Sequence, residues 1–420
     1  MSHFNIRCSE CGKVLENTYC AFCEHCVGAL LVTEYKEAEF RTGDPEQGIW
    51  RFNWLPVHGP EKPVAGPVVY RSEGLARELG LKELYIAFNG YWPERGALVE
   101  TCTFKEFEAV AVIENARENG LDGLVVASAG NTARAFAYHS ARLGFPSIIV
   151  VPRMCLDEMW YLENSESIPT VVVGDGDYSD AIDMAKRIAI ASGWPFEGGI
   201  KNIAKRDGLG VVLLEAVDTI GRLPGHYFQA VGSGAGAIAA WEMSERFSRD
   251  PAYGGRPPRL HLAQNLPFAP MVRAWQRGRK SLDKADLDPA LISQITTRVL
   301  STRYPAYEVK GGVYDALMAT GGDMYGVENS EVFAARELFE RTEGYDIVPA
   351  AAVALGALSQ AVEKGTLPPE DTVLLNITGG GERRIETEKR KCEVRGVFIS
   401  KSSSDHEIEE LVCQVLKSVC

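Results

Sequence analysis

The stretch TCTFKEFE at residues 101–108 is the part of the sequence from which the fold and the chemistry can be worked out. It follows a loop rich in glycine and proline and leads into a helical pattern that ends near Gly120. Thr103 and Glu106 have the spacing of a capping box, which predicts that the helix begins at Thr103. Lys105 then lies in the first turn, where the unpaired N–H groups and the helix dipole favour a neutral amine. A neutral amine can form a Schiff base with a carbonyl, whereas the alternative is an ordinary solvated lysine on the surface.

Strands and helices alternate along most of the rest of the chain. Continuous apolar runs predict strands at residues 30–35, 84–88, 124–127, 147–151, 170–173, 227–231, 260–263, 372–378 and 397–399. Helical patterns are found at residues 75–79, 132–143, 179–191 and 346–364, after Gly236, and from 408 to 419. Apolar strands joined by helices are typical of parallel sheets covered on both faces, so the predicted class is α/β.

Three regions lack this clear alternation. Residues 41–70 are rich in glycine and proline and are predicted to be irregular. Residues 251–326 show fewer strand signals and are predicted to form mainly helices and loops over one edge. The charge-rich residues 382–395 are predicted to be a solvated linker. The apolar stripe from 408 to 419 favours core packing or a dimer contact over catalysis.

The composition limits the classes of function. A chain of 420 residues with 45% hydrophobic and 24% charged residues is expected to form two or three globular domains. The net charge of -13 argues against a nucleic-acid or anionic-membrane partner, including a nucleic-acid-binding zinc ribbon, because both partners require a basic surface. No apolar run reaches about 18 residues and no signal-peptide pattern is found. We therefore expect a soluble, cytoplasmic protein.

The first 26 residues contain five of the ten cysteines. Cys8 and Cys11 form one CxxC knuckle, and Cys23 and Cys26 form a second one that leads into a predicted strand. Four thiolates in two such knuckles are typical of a structural zinc ribbon. Cys20 and Cys23 are the alternative second pair of zinc ligands. If no metal is bound, the cysteines could instead form disulfides.

A first glycine-containing turn follows the strand predicted at 124–127. It consists of Ser128, Ala129, Gly130, Asn131 and Thr132 and leads into a helix. Backbone amides at the start of a helix can bind a carboxylate, and the amide of Asn131 can donate a hydrogen bond to a phenolic oxygen.

Two further turns follow the strands predicted at 227–231 and 372–378. The second consists of Gly232, Ser233, Gly234, Ala235 and Gly236. Its G-x-G-x-G spacing differs from a dinucleotide fingerprint and suits a single terminal phosphate at a helix start. The third, NITGGG at 376–381, contains Thr378. Such turns also occur for backbone reasons alone, but together they supply an amine, a phosphate site, an amide and a hydroxyl, which are the groups that bind pyridoxal phosphate (PLP).

The order of T-F-K, S-A-G-N-T-A, V-G-S-G-A-G and N-I-T-G-G-G, behind the cysteine knuckles, resembles the threonine-synthase branch of fold-type II PLP enzymes. The resemblance covers nearly the whole chain and implies two open, twisted, mostly parallel sheets covered by helices. It divides the chain into a ribbon at 1–40, a large PLP-binding domain at 41–110 and 200–385, a small domain at 111–199 and an extension at 386–420. It also implies a homo-oligomer.

The resemblance assigns roles to the residues of the turns. Lys105 would be the catalytic lysine that forms the Schiff base with PLP, and Asn131 would bind the phenolic oxygen of the cofactor. Residues 232–236 would hold its phosphate, and Thr378 would face its pyridine nitrogen. A hydroxyl at that nitrogen suits β-elimination and replacement. The substrate would lie at the first turn: Ser128, Ala129, Gly130, Thr132 and, one helical turn further, Arg134.

The sequence also departs from threonine synthases. The usual S-F-K-D-R-G is T-F-K-E-F-E here, and Arg134 stands where a small residue is usual. These features resemble the cysteate synthase family, which makes L-cysteate from O-phospho-L-serine and sulfite in the coenzyme M pathway of methanogens. Both substrates are anions, so cations are required; the candidates are Arg134 and, in a loop predicted before a helix at Gly208, Lys201, Lys205 and Arg206.

Other interpretations remain open. A threonine synthase would act on O-phospho-L-homoserine instead, and a non-catalytic PLP-fold protein would only bind a ligand or partner. His139 and Cys102 are expected to be packed residues rather than a catalyst and a nucleophile.

Overall fold

The computed structural model describes residues 3–15, 19, 22–26, 28–58, 62–128, 130–164 and 168–417. Helices and strands alternate through most of these residues and the two larger sheets are mainly parallel, so the α/β prediction is confirmed. Within these ranges, none of the helices combines the length and the apolar character that crossing a membrane requires.

The described residues form seventeen strands. In chain order they are β1 (Phe4–Cys8), β2 (Val14–Leu15), β3 (Leu31–Tyr35), β4 (Val68–Arg71), β5 (Glu83–Phe88), β6 (Tyr91–Trp92), β7 (Ala97–Leu98), β8 (Leu124–Ala127), β9 (Ser147–Pro152), β10 (Trp160–Tyr161), β11 (Thr170–Val173), β12 (His226–Ala230), β13 (Arg259–Asn265), β14 (Asp323–Val327), β15 (Thr372–Ile377), β16 (Cys392–Glu393) and β17 (Val397–Ile399).

Twelve α-helices are found in the same part of the chain. They are α1 (Gly74–Leu79), α2 (Lys105–Glu118), α3 (Asn131–Leu143), α4 (Tyr178–Ser192), α5 (Ile203–Ile220), α6 (Ala235–Arg249), α7 (Pro270–Gln276), α8 (Val313–Thr320), α9 (Asn329–Glu343), α10 (Pro349–Glu363), α11 (Glu382–Glu388) and α12 (Asp405–Lys417).

The fold is built around two sheets, one of six strands and one of four. The large sheet has the order β14-β13-β12-β15-β5-β4, and only the edge strand β4 runs antiparallel. The small sheet has the order β17-β11-β9-β8 and is parallel throughout. Strands β8, β9, β11, β12 and β15 are buried along their whole length. Burial on both faces explains why their sequences are mostly apolar.

Helices cover both sheets. The apolar helix α10 packs across β12, β13 and β15, while α2, α5 and α6 pack side by side. Helix α12 packs on α4, and its buried residues Ile408, Leu411, Val412 and Val415 are the stripe seen in the sequence. The stripe is therefore core packing; Val419 lies outside the described residues. The proposed division of the chain into domains stays a prediction.

Some helix boundaries follow from local signals. A capping box of Asp177 and Asp180 begins α4, and Gly193, with φ 72°, ends it. Pro349 occupies the first turn of α10, where its missing N–H costs nothing.

The predicted start of α2 at Thr103 is wrong. The helix begins at Lys105, and the residue before it, Phe104, has no side chain that could cap it. The carboxylate of Glu106 accepts the N–H of Thr101 instead, so no capping box forms with Thr103.

Three other predictions are corrected. Residues 382–395 are not only a linker, because they contain α11 and β16, and β16 pairs with β10. Strands β4 and β14 were missed in regions predicted to be irregular or helical. Both are edge strands of the large sheet, and an edge strand does not need a continuous apolar sequence.

The N-terminal residues form a third, antiparallel sheet with the order β2-β1-β3. This sheet contacts the body of the protein: the Leu30 N–H donates to the carbonyl of Lys310 at 3.0 Å, and the Ser9 hydroxyl donates to the same oxygen at 3.2 Å.

Candidate active site

A cavity of about 540 Å³ lies at the carboxyl ends of strands from both larger sheets. Ser128 follows β8, Gly232 follows β12 after one residue, and Thr378 follows β15. Lys105, at the start of α2, completes the wall. Ligands of open α/β sheets bind at such strand ends, so this cavity is the candidate active site.

Most of the residues predicted for the cofactor and the substrate line this cavity: Lys105, Ser128, Gly130, Asn131, Thr132, Gly232, Ser233, Gly234, Ala235, Gly236 and Thr378. Ala129 lies outside the described residues. Arg134 instead lines a smaller neighbouring cavity of about 180 Å³. The structure therefore brings the four predicted stretches together, while the role of each residue stays a prediction.

Lys105 lies in a largely buried position, with 19% of its side chain exposed. Its Nζ is 2.8 Å from Oε2 of Glu108 and 4.8 Å from the centre of the Phe104 ring. Burial lowers the pKa of Lys105 below its ordinary value, although the carboxylate of Glu108 acts in the opposite direction. A lowered pKa agrees with the expectation that the helix start favours a neutral amine at Lys105, but the main physical cause of the shift is burial.

Glu108 connects Lys105 to a buried charge network that the sequence did not reveal. Its Oε1 accepts the Thr132 hydroxyl at 2.6 Å and lies 3.2 Å from Nζ of Lys205. Nζ of Lys205 also lies 3.1 Å from Oε1 of Glu197. Two lysines and two glutamates thus alternate in this network; Lys105, Lys205 and Glu197 line the cavity, while Glu108 is fully buried.

This network sets the charges of its members. Burial alone would raise the pKa of Glu108, but the two neighbouring ammonium groups together hold it below its usual value. Burial opposes the charge of Lys205, yet Glu108 and Glu197 raise the pKa of Lys205 well above its usual value. Glu108 and Lys205 are therefore charged at neutral pH, and Lys105 is the group whose proton is most easily lost.

The loop predicted for residues 201–206 is wrong for Lys205 and Arg206. Both lie within α5, which begins at Ile203 and is capped by Asn202, whose side chain accepts the Lys205 N–H at 3.2 Å. Asn202 is the sequence signal that could have located this helix start. Arg206 is buried and pairs with Glu242 at 3.1 Å, away from the cavity, so it does not serve as a substrate cation.

The glycine turn after β12 is tightly enclosed. A Cβ atom at Gly232 would lie 3.1 Å from the backbone of Leu300, and one at Gly236 would lie 2.4 Å from Nε2 of Gln229. Gly234 has a φ of +91°, and a Cβ there would lie 2.2 Å from Cγ2 of Val313. Since α6 begins at the next residue, the turn places backbone N–H groups at a helix start, where an anion is stabilised.

Asn131, the first residue of α3, is held by Arg134. Nη2 of Arg134 donates to Oδ1 of Asn131 at 3.0 Å, so the NH₂ group of Asn131 is the one that it can present to the cavity. Arg134 is itself buried, 3.3 Å from Glu382 and stacked 4.0 Å over the ring of Trp160. The positive charge of Arg134 is thus compensated within the protein by Glu382 and the Trp160 ring.

The third turn is joined to the start of α2. The carbonyl of Thr378 accepts the Phe104 N–H at 3.0 Å, next to Lys105. Cys102 has a left-handed φ of 57°, and it is buried, which raises the pKa of its thiol well above the usual value. A buried, protonated thiol agrees with the expected packing role and not with a nucleophile.

The four cysteines of the two knuckles converge at one point. The Sγ atoms of Cys8, Cys11, Cys23 and Cys26 all lie within 4.8 Å of one another, and those of Cys11 and Cys23 are 3.8 Å apart. Four sulfurs at about 2.3 Å from a tetrahedral zinc ion would be roughly 3.8 Å apart, so the cluster fits a zinc ion. None of the four forms a disulfide, and Cys20 lies outside the described residues.

Comparison with known proteins assigns the chain and its fold to a class. A family model described as "Pyridoxal-phosphate dependent enzyme" matches residues 67–379. Among solved structures, maize serine racemase aligns with a TM-score of 0.57 at 15% identity, over 75% of this chain and 89% of that one. The processed form of threonine deaminase isoform 2 from Solanum lycopersicum aligns with a TM-score of 0.52 at 17% identity, over 77% and 83%. These structures share the fold, which is that of fold-type II PLP enzymes.

Closer relatives have one name in common. The cysteate synthase of Methanocella paludicola is 49% identical over 395 residues, which is 92% of both chains. That of Methanosarcina acetivorans is 45% identical over 417 residues, 98% of this chain and all of that protein. This chain therefore belongs to the cysteate synthase family of PLP-dependent enzymes.

Proposed function

We propose that this enzyme converts O-phospho-L-serine and sulfite into L-cysteate and phosphate, with PLP bound in the 540 Å³ cavity. The observation that carries the proposal is that the Lys105 amine, whose pKa burial lowers, lines the same cavity as the glycine turn at 232–236. Relatives named cysteate synthase, which match over nearly the whole chain, support the choice of product.

The residues of the cavity fit PLP. Lys105 would carry the cofactor, and the amides at the start of α6 would hold its phosphate in a turn where a side chain would clash. The NH₂ group of Asn131 would donate to the phenolic oxygen, and the hydroxyl of Thr378 would face the ring nitrogen. When bound, PLP supplies an electron sink that makes the Cα proton of an amino acid acidic.

Lys105 would move the proton in the reaction. Its Nζ would take the proton from Cα as the Cβ–O bond breaks and phosphate leaves with the bonding electrons. After the sulfur of sulfite has formed a bond to Cβ, the same Nζ would return the proton to Cα. The proton that Nζ removes in the first half of the reaction is thus returned in the second half, and the Cβ–O bond is replaced by a Cβ–S bond.

The first turn would orient the substrate carboxylate. The Ser128 hydroxyl oxygen accepts the N–H groups of Gly130 at 3.1 Å and Ala133 at 2.9 Å, which fixes the loop before α3. The amides of Asn131 and Thr132 are then the ones that the helix start can offer to a carboxylate. Lys201 and Arg298 also line the cavity, and the partly exposed Arg298 lies 3.3 Å from Glu158. Their positive charges would favour the phosphate and sulfite anions.

The test compares two substrate pairs with the purified, PLP-loaded protein. Phosphate release and cysteate formation are measured with O-phosphoserine plus sulfite, and phosphate release and threonine formation with O-phosphohomoserine. We expect turnover of the first pair only, abolished in Lys105→Ala and kept in Lys82→Ala, which changes an exposed lysine paired with Glu370. Turnover of phosphohomoserine alone would make the protein a threonine synthase, and turnover of neither would leave a binding protein.

We also propose that Cys8, Cys11, Cys23 and Cys26 bind a structural zinc ion, since no fifth, exchangeable ligand accompanies them in the described cluster. Metal analysis of the purified protein tests this. A homo-oligomeric assembly, a cytoplasmic location and a contribution to coenzyme M formation also stay predictions.

A further inference from the structure

Glu108 is a buried charge of the site to which the proposed function gives no role. Its side chain has no exposed surface, and it lies three residues after Lys105, where the threonine-synthase pattern has a glycine. A buried carboxylate is unfavourable unless other groups compensate its charge.

The carboxylate of Glu108 is held from three helices. Oε2 accepts from Nζ of Lys105 on α2 at 2.8 Å, and Oε1 accepts from the Thr132 hydroxyl on α3 at 2.6 Å. Nζ of Lys205 on α5 lies 3.2 Å from Oε1. Tyr178 at the start of α4 also faces this group, and burial raises the pKa of Tyr178 to about 12, so it is neutral there.

With one oxygen fixed by Thr132 and Lys205, the other oxygen has a defined direction toward Lys105. An amine in a buried cavity is a poor base, because the ammonium that it becomes loses its hydration. A carboxylate at hydrogen-bond distance replaces that hydration by a charge-assisted hydrogen bond.

We propose that Glu108 is a positioning residue of the reaction: its carboxylate directs the Lys105 amine and stabilises the ammonium formed when that amine takes the Cα proton. The proton stays on Nζ of Lys105, and Glu108 remains ionised because Lys205 lies on its other side. The kinetic part of this inference rests on the proposed function, whereas the effect on Lys105 in the free protein does not.

The test measures the Lys105 amine directly, without cofactor. The full-length apoprotein is acetylated with acetic anhydride across a pH series, and the modification of Lys105 is followed by peptide mass spectrometry. We expect Glu108→Gln to lower the apparent pKa of Lys105 by about one unit or more. Glu114→Gln, a change at a buried glutamate on the same helix that pairs with Arg117, should leave it unchanged.

Lys205→Met provides the opposite perturbation. It removes a positive charge that disfavours the Lys105 ammonium, so the apparent pKa of Lys105 should rise. This variant also keeps the inference testable if Glu108→Gln does not fold. Shifts of opposite sign in the two variants support the proposal. An unchanged Lys105 titration in either variant, or shifts of the same sign in both, overturns it.

Kinetics separate positioning from a merely structural role. In the PLP-loaded enzyme, Glu108→Gln should lower kcat with phosphoserine and sulfite by about 10- to 100-fold, with little change in KM. Glu108→Asp should restore part of this loss. A raised KM with unchanged kcat would overturn the inference. If wild-type protein turned over no phosphoserine, the proposed function would fail, while the acetylation result would still decide the role of Glu108.

Discussion

Replacing Gly234 by alanine tests the turn that would hold the cofactor phosphate. The residue lies before α6 with a φ of +91°, and the new Cβ would lie 2.2 Å from Cγ2 of Val313. A left-handed backbone costs an L-residue about 1–2 kcal/mol, and forcing an extra methyl into a packed position costs about 1–3 kcal/mol. The free energy of unfolding should therefore decrease by about 2–5 kcal/mol.

The same substitution should weaken cofactor binding. The strain is relieved by moving the turn, and this displaces the N–H groups that face the phosphate. A tenfold loss of affinity corresponds to about 1.4 kcal/mol, so a loss of at least tenfold is expected. Urea unfolding of the apoprotein measures the stability, and titration of the apoprotein with PLP, followed by visible absorbance, measures the affinity.

Two variants separate the backbone effect from the clash. Gly144, with φ +63°, has no atom within 4 Å of a new Cβ, so Gly144→Ala should show only the backbone cost of about 1–2 kcal/mol and normal PLP binding. Combining Gly234→Ala with Val313→Ala removes the methyl that clashes, so the second change should cost less in this background than alone. If Gly234→Ala binds PLP and unfolds like the wild type, the reasoning about the turn is refuted.

Three further predictions concern acid stability, metal and cofactor orientation. Burial, with a smaller contribution from His226, lowers the pKa of His261 to about 3 from an ordinary value of 6.5. The neutral His261 therefore contributes to the stability of the folded protein above pH 6.5, and this contribution is lost as the pH falls toward 3. His261→Phe should therefore make the free energy of unfolding fall less steeply in that range, by up to about 1.4 kcal/mol per pH unit in urea titrations; an unchanged slope would contradict this. Removing metal with a chelator, or changing Cys11 to serine, should lower the unfolding temperature, whereas changing the exposed Cys413 to serine should not; equal temperatures in all samples would exclude a structural metal. Arg134→Met should weaken PLP binding about tenfold, since the hydrogen bond to Asn131 comes from a charged group worth about 1.5–3 kcal/mol; a raised KM for phosphoserine with normal PLP binding would instead make Arg134 a substrate cation.

The sequence was most informative where burial dictates the residue type. The strands predicted at 124–127, 170–173 and 397–399 match β8, β11 and β17 at both ends. The first two are buried on both faces, and such strands leave little freedom in the sequence. The residues at the ends of buried strands could then be placed near one another, because parallel strands share an edge.

Partner choice between distant charged side chains could not be predicted. Nothing local indicates that Lys205 pairs with Glu108, since this contact depends on how α2 and α5 pack. The capping box was wrong for a related reason: Glu106 had an alternative partner in the N–H of Thr101. A charged residue is usually solvated, so its burial here follows from tertiary structure alone.

The position of β17 has a consequence for how the protein is made. This strand pairs with β11, yet four of the six strands of the large sheet lie between them in the chain. A ribosome therefore releases β11, with the sequence TVVV, long before the strand that covers its edge exists. Until β17 is synthesised, that edge can pair with other chains, so prematurely terminated chains should aggregate and newly made ones should depend on chaperones.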